Sequence, residues 1–229
     1  MCSSDLCVEA GIDLIQHPEL LTPRALPDDL IQMIVQRHIT CSMLVSSMTG
    51  DAWTKHLKTK ADAEKKIQEA AKKRPDRAKT FAEERKQATD LETALETRRQ
   101  NAQRLIQAGC RTTVGTDSYW AAAPELTREP KPENQDHGTG TIIAIEGLVE
   151  LGMTPAQAIV AATKNGAIAS RREKDLGTLE AGKLADLLIL DADPLADIHN
   201  IRKLRSVLKE GNVVDVGRLP EKRVLSVAP

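Results

Sequence analysis

The stretch richest in chemistry is Ala108 to Ser118, AGCRTTVGTDS. Ala108-Gly109 reads as the stop of a helix, Thr112-Thr113-Val114 as a short strand, and Gly115-Thr116-Asp117-Ser118 as the turn that closes it. A glycine at the lip of a strand, followed by a carboxylate, is how a parallel barrel presents a side chain at its C-terminal face. Asp117 is therefore the first candidate for a working residue. Asp-Ser is also ordinary turn chemistry, so a plain turn cap is the competing reading. A second candidate comes from Gly11-Ile12-Asp13-Leu14-Ile15-Gln16-His17, which reads as a short buried strand delivering His17 at its end. Pro18 makes further central strand unfavourable.

Composition bounds what this chemistry serves. The 229 residues carry a net charge of −1 and only 2% aromatic residues, which argues against nucleic-acid and base-stacking surfaces. No apolar run approaches the roughly 20 residues that span a bilayer, and no signal peptide is visible. The four cysteines, Cys2, Cys7, Cys41 and Cys110, have neither CxxC spacing nor the density of a disulfide framework. Cys41 and Cys110 lie in apolar strand-like runs and read as buried free thiols.

The elements that must position His17 and Asp117 follow in order. Pro27-Asp28-Asp29 opens a helix whose apolar face is Leu30, Ile34 and Val35. Ile39 to Ser46 is an apolar strand of the kind covered on both faces. Lys55 to Lys73 is helical in composition, Pro75-Asp76 breaks it, and Glu84 to Gln107 has a helical apolar stripe of Leu91, Leu95, Ala102 and Leu105. This charge run is a solvated face or a partner-binding arm. Ala121 to His137 is a long irregular segment with three prolines, the signature of a functional loop. Ile142 to Leu151 is a helix. Thr154-Pro155-Ala156-Gln157 carries a capping box for another, running to about Ala169. Leu176 to Leu179, Ala185 to Leu190, Ser206 to Leu208 and Val213-Val214 are β-type runs. Met1 to Leu6 (MCSSDL) has no periodicity, matches one reading frame of a common sequencing adapter, and is expected to be a non-native leader.

Four of these pieces, in this order, resemble the metal-dependent amidohydrolase superfamily. Ala10 to His17 resembles the motif of its sixth barrel strand, and Gly115-Thr116-Asp117-Ser118 that of its eighth. Met153-Thr154-Pro155 with Ala158, Ala162-Thr163 and Ala167 resembles the helix that follows. Leu176 to Pro194, LGTLEAGKLADLLILDADP, resembles its C-terminal signature. The branch is that of the imidazolonepropionases and Xaa-Pro dipeptidases. The resemblance implies an α/β chain forming the C-terminal portion of a (β/α)8 TIM-type barrel, followed by part of a small β-sandwich. Residues 7–172 are then a partial barrel, strands six to eight, with a charged helical insert over about 50–84, and residues 173–229 a β-rich subdomain.

It further implies one or two divalent metals, zinc first although His and Asp ligands also suit Mn or Fe, and a metal-activated water that attacks an amide-type carbon. Asp117 would bind metal and carry the proton, and His17 would be a neutral imidazole ligand to the second metal. For His17 the competing reading is a hydrogen-bonded core histidine. His137 is a substrate contact or a loop residue. Tyr119 and Trp120 line the pocket or pack the rim. His38, His56 and His199 read as surface histidines. The family's His-x-His pair, its lysine and its fifth-strand histidine have no counterpart here. Two protein ligands are fewer than the three of a catalytic zinc site, and a three-strand arc leaves strand edges and an apolar interior exposed, so the chain alone is expected to be inactive and poorly soluble. The substrate class is a small cyclic amide or a dipeptide, phosphoester hydrolysis is inseparable from it by sequence, and a homo-oligomer is allowed. The reading from another class is a non-catalytic half-barrel that uses its charged helices for a partner. The compartment stays open.

Overall fold

The structure is a computed structural model that describes residues 7–21, 24–74, 78–118, 133–135 and 138–218. The leader at 1–6, the Pro75-Asp76 break, Tyr119, Trp120 and His137 lie outside the described residues.

Two three-stranded sheets organise the chain. In the first, β1 (Leu14–Gln16), β2 (Thr40–Met43) and β3 (Arg111–Val114) are all parallel, in sequence order. The register sets Ile15 opposite Cys41 and Cys41 opposite Thr112. Parallel strands require crossovers. Between β1 and β2 the crossover is α1 (Asp28–Gln36), which buries Leu30, Ile31 and Ile34 and starts with two aspartates where the helix dipole favours them. Between β2 and β3 it is the pair α2 (Gly50–Lys73) and α3 (Ala78–Gln107). No residue of α2 is fully buried, as its thin apolar stripe predicts, although Trp53 near its start packs half-buried against the core. The end of α3 does the packing: Ala102 and Leu105 join Ile34, Cys41, Met43 and Leu148 in one fully buried core. Gly109, at φ 81°, then lets the chain turn sharply into β3.

After β3 come α4 (Thr139–Glu150), α5 (Pro155–Ala162) and α6 (Lys164–Ala169). The capping box forms as expected: Thr154 Oγ1 accepts from Gln157 N, and Gln157 Oε1 accepts from Thr154 N at 2.8 Å. The single helix expected to reach Ala169 is instead broken at Thr163, whose φ −119°, ψ −84° is not helical and whose hydroxyl bonds back to Ile159 O. The second sheet is an antiparallel meander of β4 (Leu187–Leu190), β5 (Leu204–Lys209) and β6 (Asn212–Val213). Glu210 and Gly211, both at positive φ, form the tight turn between the last two. Leu176–Leu179 forms no strand. Leu179 is 84% exposed there and has no neighbour to pair with.

One expectation is overturned outright. Cys41 and Cys110 are not free thiols but a disulfide, joining β2 to the residue before β3 with their Cα atoms 6.5 Å apart. Parallel pairing of Thr40 with Arg111 places the two cysteines diagonally across adjacent strands, which brings them within disulfide reach. Of the cysteines among the described residues, only Cys7 is free, and it is exposed.

Candidate active site

His17 stands immediately after β1, and Asp117 three residues after β3, both at the C-terminal ends of parallel strands. The sheet brings their side chains together across 100 positions of sequence: His17 Nε2 lies 4.0 Å from Asp117 Oδ1. Both residues have left-handed backbone, φ 53° and φ 49°. Only five non-glycine residues among those described do so, and such strain concentrates at functional sites. The His17 side chain is 22% exposed and that of Asp117 65%, so the histidine is held from behind while the carboxylate stands open to solvent.

Glycine makes this approach feasible. A Cβ on Gly115 would sit 2.9 Å from Ser42 Oγ, 3.3 Å from Met43 O and 3.5 Å from His17 Cε1. A side chain there would press on Ser42 and on the Met43 carbonyl of β2, while only touching the imidazole.

Around the pair the structure places groups that spacing alone did not reveal. Glu19 is fully buried in the short 3-10 turn Pro18–Leu20. Its Oε1 accepts from Leu44 N at 2.9 Å, tying the end of β1 to the end of β2. Its Oε2 is buried without a partner among the described residues, as are His17 Nδ1, Ser46 Oγ and Ser118 Oγ. Burial pushes the Glu19 carboxyl above its ordinary value, opposed by its hydrogen bonds from backbone N–H groups and by the His17 and Arg98 charges.

The loop that carries Glu19 is held from α3. Asn101, fully buried, accepts from Leu26 N at 2.8 Å and donates to Arg24 O at 3.0 Å and to Glu19 O at 3.4 Å. Arg104 bonds Leu26 O and pairs with Asp28, while Arg99 bonds Met48 O and pairs with Glu150. One face of α3 therefore fixes the segments that follow both β1 and β2. In sequence these residues look like part of a solvated charge run, and no signal there distinguishes them.

The donor set fits part of a metal site. Two ligands about 2.1 Å from a tetrahedral zinc lie about 3.4 Å apart, so the 4.0 Å between His17 and Asp117 needs only a small closure. No group of three or more His, Cys, Asp or Glu side chains arranged for a metal occurs among the described residues. For the expected cofactor the described residues offer two candidate donors and not a closed site.

Comparison with known proteins places the chain in a family. Residues 7–215 match the amidohydrolase family. The imidazolonepropionase of Geobacillus sp. (strain WCH70) is 30% identical over 123 residues, 52% of this chain and 26% of that protein. The structure of molinate hydrolase superposes with a TM-score of 0.73 at 25% identity, covering 99% of this chain and 43% of that one. A Xaa-Pro dipeptidase structure with bound methionine in its active site gives a TM-score of 0.59 at 21% identity, over 93% of this chain and 42% of that one, a likeness of fold. The chain spans less than half the length of each of these proteins.

Proposed function

The chain belongs to the amidohydrolase family, whose domain is of the TIM-barrel type, and from that premise we propose that it is the C-terminal part of a metal-dependent hydrolase cleaving a carbon–nitrogen bond. The observation that carries the proposal is the meeting of His17 Nε2 and Asp117 Oδ1, both on left-handed backbone at parallel strand ends. The three parallel strands supply an arc of the barrel. The second sheet supplies part of a β-sandwich, since one of its faces leaves Ile189 and Val213 exposed to receive a partner sheet. The domain division proposed is residues 7–172 and 173–229.

When bound, a divalent metal such as zinc lowers the pKa of a water and polarises the scissile carbonyl. His17 would hold such a metal through its imidazole, with Nδ1 turned into the protein. Asp117 would hold metal through its carboxylate and, from its open position, would accept the proton of the attacking water and pass it to the leaving nitrogen. His137 and Tyr119 are assigned to substrate from their place in sequence after Asp117. The substrate class is a small cyclic amide or a dipeptide, with names of relatives such as imidazolonepropionase in support. Two protein donors hold zinc weakly, so turnover requires ligands beyond these, and the 229-residue chain is proposed to be inactive alone.

The test is zinc titration of the purified chain, read as cobalt absorption in parallel. Weak binding that both His17→Ala and Asp117→Asn abolish is the expected result. Binding that survives either change would sink the assignment. A second reading, an interaction module, draws on the 24 residues of α2, none of them buried; a native partner captured through α2 by a chain that binds no metal would favour it.

A further inference from the structure

Two buried polar atoms beside the candidate site have no partner among the described residues: His17 Nδ1 and Glu19 Oε2. They belong to residues separated only by Pro18, on a turn closed by Leu20 N donating to His17 O at 2.9 Å. A buried imidazole N–H and a buried carboxylate oxygen each carry an uncompensated desolvation penalty when left unpaired. The two atoms do not bond each other in the structure, so their burial in one small turn calls for a shared partner, and one water bridging them is the smallest.

We propose that Glu19 is the positioning residue of His17, accepting the Nδ1–H through one buried water and so presenting the bare Nε2 toward Asp117. The inference rests on the reading of His17 as a metal ligand but concerns only residues of this chain. Three observations carry it. Glu19 is fully buried, so its carboxylate has no role at the surface. Its other oxygen is already fixed by Leu44 N at 2.9 Å, which leaves Oε2 as the free acceptor. His17 Nε2 faces Asp117, so Nδ1 is the nitrogen turned inward. An imidazole has one proton to place when neutral, and an acceptor at Nδ1 settles which nitrogen stays bare. A carboxylate behind a ligating histidine also raises its basicity and fixes its ring plane. Asn101, which donates to Glu19 O, anchors the same turn from α3.

The discriminating variant is Glu19→Gln. Its amide oxygen still accepts from Leu44 N, while its NH2 group can only donate where Oε2 accepted. The ring proton is then driven from Nδ1 to Nε2, and the metal-facing nitrogen is blocked. The experiment is long-range proton–nitrogen NMR of the 15N-labelled full chain at pH 8, with His17 assigned by the signal lost in His17→Gln. The expected result is an Nδ1–H tautomer in the wild type and an Nε2–H tautomer in Glu19→Gln, accompanied by zinc affinity lower by about 10–100-fold. A wild-type His17 protonated on Nε2, or a folded Glu19→Gln variant with an unchanged tautomer, overturns the proposal. Should Glu19→Gln not fold, the wild-type tautomer decides. A tautomer switch in a chain that binds no zinc supports the role of Glu19 and overturns the metal-site reading instead.

Discussion

The sharpest structural prediction concerns Asn101, a polar residue with no exposed surface inside a charged helix. Asn101→Leu keeps the branching and heavy-atom count of the side chain and removes only its polarity. Two good hydrogen bonds are lost, from Leu26 N at 2.8 Å and to Arg24 O at 3.0 Å, with a third, longer one to Glu19 O. At about 1 kcal/mol net for each of the two, plus about 1 kcal/mol or more for stranding the Leu26 N–H, the segment after β1 loses about 3 kcal/mol. Since 1.4 kcal/mol is tenfold, local opening rises about 100-fold. The assay is native-state amide hydrogen exchange, which reads such openings residue by residue. The Leu26 amide should exchange about 100-fold faster, and the Leu44 amide, bonded to Glu19 Oε1, should follow it in the same direction. The Cys41 amide, in the middle of β2, should be unaffected. Leu26 exchange within threefold of wild type, in a variant with intact β2 protection, would refute the claim that α3 holds this loop through Asn101.

Three further outcomes follow from other parts of the chain. Gly115→Ala sets a Cβ 2.9 Å from Ser42 Oγ and 3.3 Å from Met43 O, shifting the strand end that leads to Asp117, and should weaken zinc binding about tenfold, or 1.4 kcal/mol, with partial recovery when Ser42→Ala makes room; unchanged binding in the single variant would show that the site does not depend on this gap. Thiol titration of the denatured, unreduced chain should find two reactive cysteines of the four, Cys2 and Cys7, and Cys41→Ser/Cys110→Ser should cost about 4 kcal/mol for a bridge separating its ends by 69 residues; four reactive thiols would exclude the bridge. The Lys209 ammonium, followed by the Glu210 N–H, holds the Asp186 carboxyl below its ordinary value. The stabilising effect is present above the unfolded value of 3.8 and lost as pH falls through the depressed folded value. Lys209→Ala should therefore raise the Asp186 pKa in a carbon-detected NMR titration, and an unmoved curve would remove Lys209 as the cause.

What the sequence made legible was what is encoded locally. The capping box at Thr154-Gln157, the aspartates opening α1, the glycine closing α3 and the strand ends at His17 and Val114 each depend on a few neighbouring residues, and each forms where expected. The misreadings are non-local. Cys41 and Cys110 become partners only through the register of β2 against β3, which no window of residues contains. Leu176-Gly177-Thr178-Leu179 has the composition of a strand but finds no pairing edge, so Leu179 is left in solvent. The break at Thr163 arises where its hydroxyl returns to Ile159 O, a bond that a propensity-based reading does not weigh.

The same distinction explains why the site was only half legible. His17 and Asp117 could be named because each terminates a strand, but the residues that hold them could not. Glu19 follows a proline and looks like a surface turn, and Asn101 sits among arginines; their burial is a consequence of the crossover packing of α3. Yet these hidden residues are where the energetics lie. Left-handed backbone at His17 and Asp117 costs on the order of 1–3 kcal/mol each, and such conformations persist only where surrounding structure over-determines them. At His17 that role falls to the buried turn: Glu19 bound to Leu44 N, and the Asn101 clamp worth about 3 kcal/mol, together match the strain. At Asp117 the described residues offer only the Ser118 N–H bonded to Thr116 Oγ1 at 3.3 Å. The imidazole is thus the pre-organised half of the pair and the carboxylate the adjustable half. That asymmetry is what a group needs if it must bind metal in one step and swing with a proton in the next.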